Sequence, residues 1–261
     1  MSIMQPTGQF DQPVPPLEAE HPCSQCGARS LAICGVLESD ELQAFRKSGA
    51  TQRLEPGDTL FYEGDPARSV YSVTEGLLRL TKILPDGRRQ VADFLFPGDF
   101  LGLTLEDSHA FSAEAVTPVQ VCQFSAARFH AFAGAHPHLE RKLYALAAHE
   151  LAATRQQVLR LGRRSATERL ASFLLMLASQ SCPGPCGNGD GKVIVLPMSR
   201  TDIADYLGLR IETVSRELSG LKAEKIIRLA STQQIEILDE ARLRTIVSGD
   251  QEDDRLGAFC D

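Results

Sequence analysis

The sequence predicts an α+β fold made of a small antiparallel β-barrel or jelly roll, one long helix, and a terminal unit of short helices closed by a hairpin. Three observations predict it. Between Ala50 and Phe124, short β-prone runs alternate with turn signals at regular spacing. Pro137 to Gly162 carries apolar residues at steps of three and four, the period of a helix. From Ser199 to Leu238, two short helical segments flank Gly208 and two short apolar strands follow.

Taken in order, Met1 to Pro22 contains Pro6, Pro13, Pro15 and Pro16 with little apolar content, so residues 1–22 read as a flexible arm. Cys23, Cys26 and Cys34 come next. A Cys-x2-Cys pair lets two thiolates converge from one tight turn, and Gly27 relieves the backbone there. With Cys34 the count is three, whereas a closed zinc site and an iron–sulfur cluster usually take four ligands. The fourth ligand decides the chemistry, and on spacing alone structural zinc or simple packing stays open. Val36 to Lys47 has helical spacing at Leu37, Leu42 and Phe45, with Ser39 as its N-cap.

The strand-like runs are 59–62, 70–73, 77–83, 91–95 and 119–124. Pro56-Gly57-Asp58, Glu63-Gly64-Asp65, Glu75-Gly76, Pro85-Asp86-Gly87 and Pro97-Gly98-Asp99 punctuate them. Residues 23–135 therefore read as a cysteine-cluster segment joined to a barrel.

Residues 136–163 form the long-helix segment, in which Pro137 to Gly162 spans about 39 Å at 1.5 Å per residue. Leu139, Leu143, Ala147, Leu151, Thr154, Val158 and Leu161 make one stripe along it. That stripe suits a coiled-coil seam or a face packed on the barrel. A helix this long outreaches a small barrel, which favours a homodimer.

Thr167 to Ser179 reads as a further helix, Cys182-Pro183-Gly184-Pro185-Cys186 as a turn-rich loop, and Lys192 to Leu196 as a strand. Ser199 caps the next helix, with Asp202 three residues on completing a capping box. Ile203, Ala204 and Leu207 face inward, Gly208-Leu209 turns the chain, and Ile211, Val214, Leu218 and Leu221 line the second helix. Two short helices about a glycine turn make a helix-turn-helix. On the second, Glu212, Ser215 and Arg216 stand at i, i+3 and i+4 and project together. Arginine bridges guanine O6 and N7 and a carboxylate accepts from cytosine N4, so this face suits a major groove. Arg210 and Arg200 are assigned to the same surface. Residues 226–229 and 234–238 form the hairpin, giving a winged helix-turn-helix over 164–240 and an acidic tail over 241–261.

The chain has 261 residues, 43% of them apolar, enough for two cores. The formal charge of -7 is uneven, because basic residues outnumber acidic ones from Arg155 to Arg228. No apolar run spans a membrane and no secretory pattern opens the chain, so a cytoplasmic location is expected. Seven cysteines without that pattern favour metal or redox chemistry over disulfides. No nucleophile–base constellation supports an enzyme. Cys260 reads as an incidental thiol.

The run Met198 to Leu218, Met-Ser-Arg-Thr-Asp-Ile-Ala-Asp-Tyr-Leu-Gly-Leu-Arg-Ile-Glu-Thr-Val-Ser-Arg-Glu-Leu, closely resembles the recognition motif of the Crp/Fnr transcription regulators. The resemblance extends from Cys23 to Leu238 and includes Ala166-Thr167-Glu168-Arg169-Leu170-Ala171. It implies a cyclic-nucleotide-binding-like barrel as sensor, a dimerisation helix, and base reading by Glu212, Ser215 and Arg216 at TTGAT-type inverted repeats of double-stranded DNA. The Pro85-Asp86-Gly87 turn matches a region that touches RNA polymerase in relatives, so activation is expected.

Crp-type barrels hold the cyclic phosphate with an Arg-Ser pair. Here Phe111 precedes Ser112 and Thr104 replaces the cassette glutamate, which would leave a buried phosphodiester unpaired. The Fnr branch (FnrN-like) instead implies a 4Fe-4S cluster on Cys23, Cys26, Cys34 and Cys122. Oxygen degrades such a cluster and weakens the dimer. The wide Cys26 to Cys34 gap matches a subgroup of oxygen-responsive relatives, and Thr154 stands where enteric members carry aspartate. The alternative is a Crp/Fnr regulator without a cluster, controlled by zinc or thiol redox.

Overall fold

The computed structural model describes residues 23–104, 106–161, 165–181 and 192–248; the side chains at 149, 150, 152–161, 180, 181 and 192 lie outside that description. The arm 1–22, the side chains of Thr154, Val158 and Leu161, the cysteines at 182, 186 and 260, and the stretch from 249 onward therefore fall outside it. The chain divides at Gln157/Val158 into two compact units, each described by itself.

The first unit holds β1 (Gly49–Leu54), β2 (Thr59–Phe61), β3 (Ser69–Glu75), β4 (Leu78–Ile83), β5 (Arg89–Leu95), β6 (Phe100–Leu101), β7 (Ser112–Ala115) and β8 (Val119–Ser125). They form two antiparallel sheets, ordered β1-β8-β3-β6 and β2-β7-β4-β5. Strand alternation separates two cores. Tyr71 and Val73 of β3 and Val119 and Val121 of β8 join Leu54, Phe61, Leu78 and Leu95 in a core built from both sheets. Val70 and Phe124, one pleat over, join a second core against the helices.

The five expected strands are all present. β1, β6 and β7 were not expected, because Gly49–Leu54 and Ser112–Ala115 carry few apolar residues. Ladder pairing of β1 to β8, β6 to β3 and β7 to β4 holds them in place, so tertiary context overrides local preference.

A 3-10 turn (Ile33–Val36) and α1 (Ser39–Lys47) precede the barrel. The N-cap of α1 is Glu38 rather than the expected Ser39. Glu38 and Glu41 form a reciprocal capping box, the longer carboxylates reaching both backbone donors. Gly98, at φ +103, turns the chain beside Leu31; a Cβ there would lie 2.5 Å from that of Leu31. After β8 come α2 (Ala126–Ala135), which the sequence reading lacked, and α3 (Pro137–Leu161).

The second core corrects part of the predicted seam. Leu139 is fully buried with Ile33, Leu37, Phe45 and Phe129, and Leu143 packs against the same cluster. These two residues serve the protomer's own core. Tyr144 and Leu151 are 71% and 52% exposed, and Ala147 and Ala148 between them are exposed. Steps of three and four link them, so the free apolar face combines Ala147 and Leu151 of the expected stripe with Tyr144 and Ala148 beside it.

The second unit contains α4 (Ala166–Ser181), β9 (Lys192–Val195), α5 (Arg200–Leu207), α6 (Ile211–Ala223), β10 (Ile227–Leu229), β11 (Gln234–Ile237) and α7 (Glu240–Ser248). Its strands form an antiparallel sheet, β10-β11-β9. α7 occupies the start of the expected acidic tail. Leu243 and Ile246, three apart, are buried and the helix packs on α4, a spacing that the surrounding charges obscured. Among the described residues no helix is long and apolar enough to cross a membrane.

Candidate metal centre and nucleic-acid interface

The cysteine segment is a succession of tight turns. The amide of Cys26 donates to the Cys23 carbonyl, Arg29 to Cys26, Ala32 to Ala28 and Gly35 to Ala32. Ala28, Ala32 and Ile33 are buried and anchor the segment. The seven residues between Cys26 and Cys34 are used to wind the chain, so the wide gap returns Cys34 toward the first two thiols. At Gly35 a Cβ would meet the Arg29 carbonyl oxygen at 2.5 Å, which shows how closely the turns stack.

Cys122 comes from β8, where it is the Cα partner of Thr51 on β1 and of Ser72 on β3. It packs, with Cys23 and Cys34, against the core beneath the helices. The four predicted cysteines, from segments far apart in sequence, line one cavity of about 440 Å³, a volume that includes the solvent at its mouth. Arg29, Arg46, Ser72, Thr74 and Phe45 also line it.

All four are free thiols. Among the described residues, no three His, Cys, Asp or Glu side chains are drawn to metal-ligating spacing, so the thiols share the cavity without having closed on one point. Burial, reinforced by the other three thiols, pushes Cys34 up to about 12. Burial also raises Cys122 and Cys23, against the opposing pull of Arg46. An enclosed cation would reverse this balance, because ligating thiols must lose their protons. Four sulfur donors with two arginines nearby suit a thiolate-bound, net-negative cluster. Arg29, Arg46 and Ser72 escaped the sequence reading, since only the tertiary fold brings them to the cysteines.

The segment is tied to the long helix. Glu41 Oε2 accepts from the Glu38 amide and lies 3.0 Å from His138 Nε2, while Glu41 Oε1 lies 3.9 Å from His136 Nε2. Ile33, Leu37, Leu42 and Phe45 share their core with Leu139, Leu143 and Leu146. The cysteine segment and α1 thus pack directly against the first turns of α3.

Around Ser112, the described basic side chains Lys82 and Arg79 are already engaged. Phe111 stands before Ser112, and Lys82 Nζ sits 5.4 Å from its ring centroid while pairing with Glu63 at 2.9 Å. Arg79 pairs with Glu114 at 2.7 Å, and Thr81 donates to the same carboxylate. Cyclic AMP is accordingly expected to leave both Tm and DNA affinity unchanged. A rise in either, by calorimetry or fluorescence anisotropy, would contradict this account of the barrel.

In the second unit, Ser199 and Asp202 form the expected capping box. Gly208, at φ +64, caps α5 in the left-handed conformation. Arg169 Nη1 donates to the Leu207 carbonyl at 3.2 Å and buttresses that turn. Val214, Leu218 and Leu221 are buried, which leaves Glu212, Ser215 and Arg216 exposed together on the opposite face of α6. Arg210 is exposed at its start. Glu217, also missed from the sequence, accepts from Thr167 Oγ1 at 2.6 Å and approaches Arg216 Nε at 3.5 Å. It ties α6 to α4 through Thr167. Arg200 differs from the other predicted contacts: it is half-buried and its Nη1 is enclosed without a hydrogen-bond partner. Arg228 is paired with Glu236, which offsets part of the basic segment.

Comparison with known proteins agrees with this fold. Residues 51–136 match the cyclic nucleotide-binding domain and residues 168–246 the Crp-like helix-turn-helix domain. The nitrogen fixation regulation protein FixK of Bradyrhizobium diazoefficiens is 43% identical over 87% of this chain and 94% of its own. The transcriptional activator protein FnrL of Cereibacter sphaeroides is 34% identical over 85% and 90%. The solved structure of FixK2 from Bradyrhizobium japonicum superposes with a TM-score of 0.68 at 37% identity, covering 76% of this chain and 96% of that one. Similarity at this level, running through both domains, makes the protein a member of the Crp/Fnr family of transcription regulators, and not an enzyme.

Proposed function

We propose that the protein is an oxygen-responsive transcription activator of the Fnr type. It holds a 4Fe-4S cluster on Cys23, Cys26, Cys34 and Cys122 and acts in the cytoplasm as a dimer on TTGAT-type inverted repeats when oxygen is low. The observation that carries this reading is the convergence of four cysteines, from two distant segments, on one arginine-flanked cavity. A bound cluster supplies the oxygen-labile element. The chain's own residues supply the transmission: the cysteine segment packs on α3 through Leu37, Phe45, Leu139 and the Glu41–His138 contact. Cluster occupancy then acts as an effector on the dimerisation equilibrium.

Dimerisation uses the face marked by Tyr144, Ala147, Ala148 and Leu151. Leu151→Asp is expected to weaken the dimer by about tenfold or more, since a carboxylate would be desolvated in an apolar seam. Analytical ultracentrifugation measures this; an unchanged dimer would place the seam elsewhere. A two-fold dimer sets its α6 helices about 34 Å apart, one turn of DNA, with Glu212, Ser215 and Arg216 in successive major grooves. The hairpin at Pro85-Asp86-Gly87, where Arg88 pairs with Asp86 at 2.7 Å, is the surface offered to RNA polymerase.

The test is DNA binding by anaerobically prepared protein before and after exposure to air. Affinity for the inverted repeat is expected to fall in air as the protein becomes monomeric; equal affinity in both states would refute oxygen control.

A further inference from the structure

Ser72 is 5% exposed, and its hydroxyl is enclosed without a hydrogen-bond partner. Arg29 Nε is enclosed in the same way, although its Nη2 donates to the Leu37 carbonyl at 3.4 Å. Among the described residues three side-chain nitrogen or oxygen atoms are buried and unpartnered, and two of them belong to residues lining the cysteine cavity. Buried polar groups are almost always satisfied, so a pair of orphan donors in one cavity needs an acceptor. The strand register gives Ser72 its place: it is the Cα partner of Cys122, so the two side chains share one face of the β3–β8 ladder. Arg29 arrives from the other segment, three residues after Cys26.

We infer that Ser72 Oγ–H and Arg29 Nε–H donate hydrogen bonds to sulfur atoms of the centre held by the four cysteines, and that these two donors tune its reduction potential. The inference rests on the cluster reading above. Both residues are tuning and positioning groups, because they act on the sulfurs and not as ligands. Ala32, Ile33, Leu42 and Phe124 make the apolar walls, and the Thr74 hydroxyl in the same lining is engaged with Gln120. Hydrogen bonds and positive charge at cluster sulfurs favour the more reduced, more negative state. Removing a donor therefore lowers the potential.

The experiment compares wild type with Ser72→Ala, Ser72→Thr and Arg29→Lys. Each is reconstituted anaerobically, analysed for iron and sulfide, and titrated for its reduction potential. Ser72→Ala and Arg29→Lys are expected to bind wild-type amounts of iron and sulfide with a potential shifted downward. Ser72→Thr, which keeps the hydroxyl, returns toward the wild-type value. Loss of the cluster in Ser72→Ala that Ser72→Thr restores also supports the role of the hydroxyl, whereas loss in both contradicts it. Loaded Ser72→Ala and Arg29→Lys proteins with unchanged potentials overturn the inference and leave the cluster reading intact. If wild type takes up no iron and sulfide, both fall together. Circular dichroism identifies any variant that has not folded, in which case the other position carries the test.

Discussion

Replacing Cys122 with serine is expected to remove most of the iron, sulfide and visible absorbance from anaerobically reconstituted protein, and with them the tight binding to the inverted repeat. The barrel is expected to stay folded. Cys122 is half-buried on β8, its backbone is held by ladders to β1 and β3, and serine keeps its shape. The loss would therefore be one of ligation. Cys122 separates the readings better than the N-terminal cysteines do, because a zinc site assembled near Cys23, Cys26 and Cys34 has no need of a thiolate from the barrel. Circular dichroism together with iron and sulfide analysis checks the outcome. Wild-type cluster content in Cys122→Ser would remove the barrel from the sensor.

Arg216→Ala is expected to cost about 1–3 kcal/mol on the cognate half-site and to relax the preference for its guanine. The side chain is 74% exposed and stands on the face shared with Glu212 and Ser215. Arg216→Lys is expected to keep general DNA affinity while losing most of the discrimination, because an ammonium lacks the planar fork of a guanidinium. Anisotropy titrations on cognate and scrambled duplexes distinguish these outcomes. Equal losses on both duplexes would make Arg216 a phosphate contact.

Features carried by local chemistry were legible before the fold was seen. Turn residues bounded five barrel strands, Ser199 and Asp202 marked the start of α5, and Gly208 marked the turn before α6. Legibility ends where one period serves two faces. The α3 helix has adjacent apolar stripes, and periodicity alone did not reveal that Leu139 turns inward while Tyr144 and Leu151 face out. It also missed β1 and β7, whose stability comes from neighbouring strands, and α7, whose Leu243 and Ile246 lie among charged residues.

At the candidate centre, the cysteines themselves could be named from the sequence because thiols are rare and their spacing is informative. Resemblance supplied Cys122. The donors around them could not be named, because Ser72 and Arg29 are unremarkable until β3 pairs with β8 and the cysteine turns settle above the same sheet. Burial raises Cys23, Cys34 and Cys122, which disfavours the thiolate in each.

The most direct measurement is iron and sulfide per protomer, with the visible spectrum, in protein purified and reconstituted without oxygen and then exposed to air. The account predicts about four iron and four sulfide per protomer and a brown chromophore that bleaches in air. A colourless protein without iron, or one carrying a single oxygen-indifferent zinc, would contradict it.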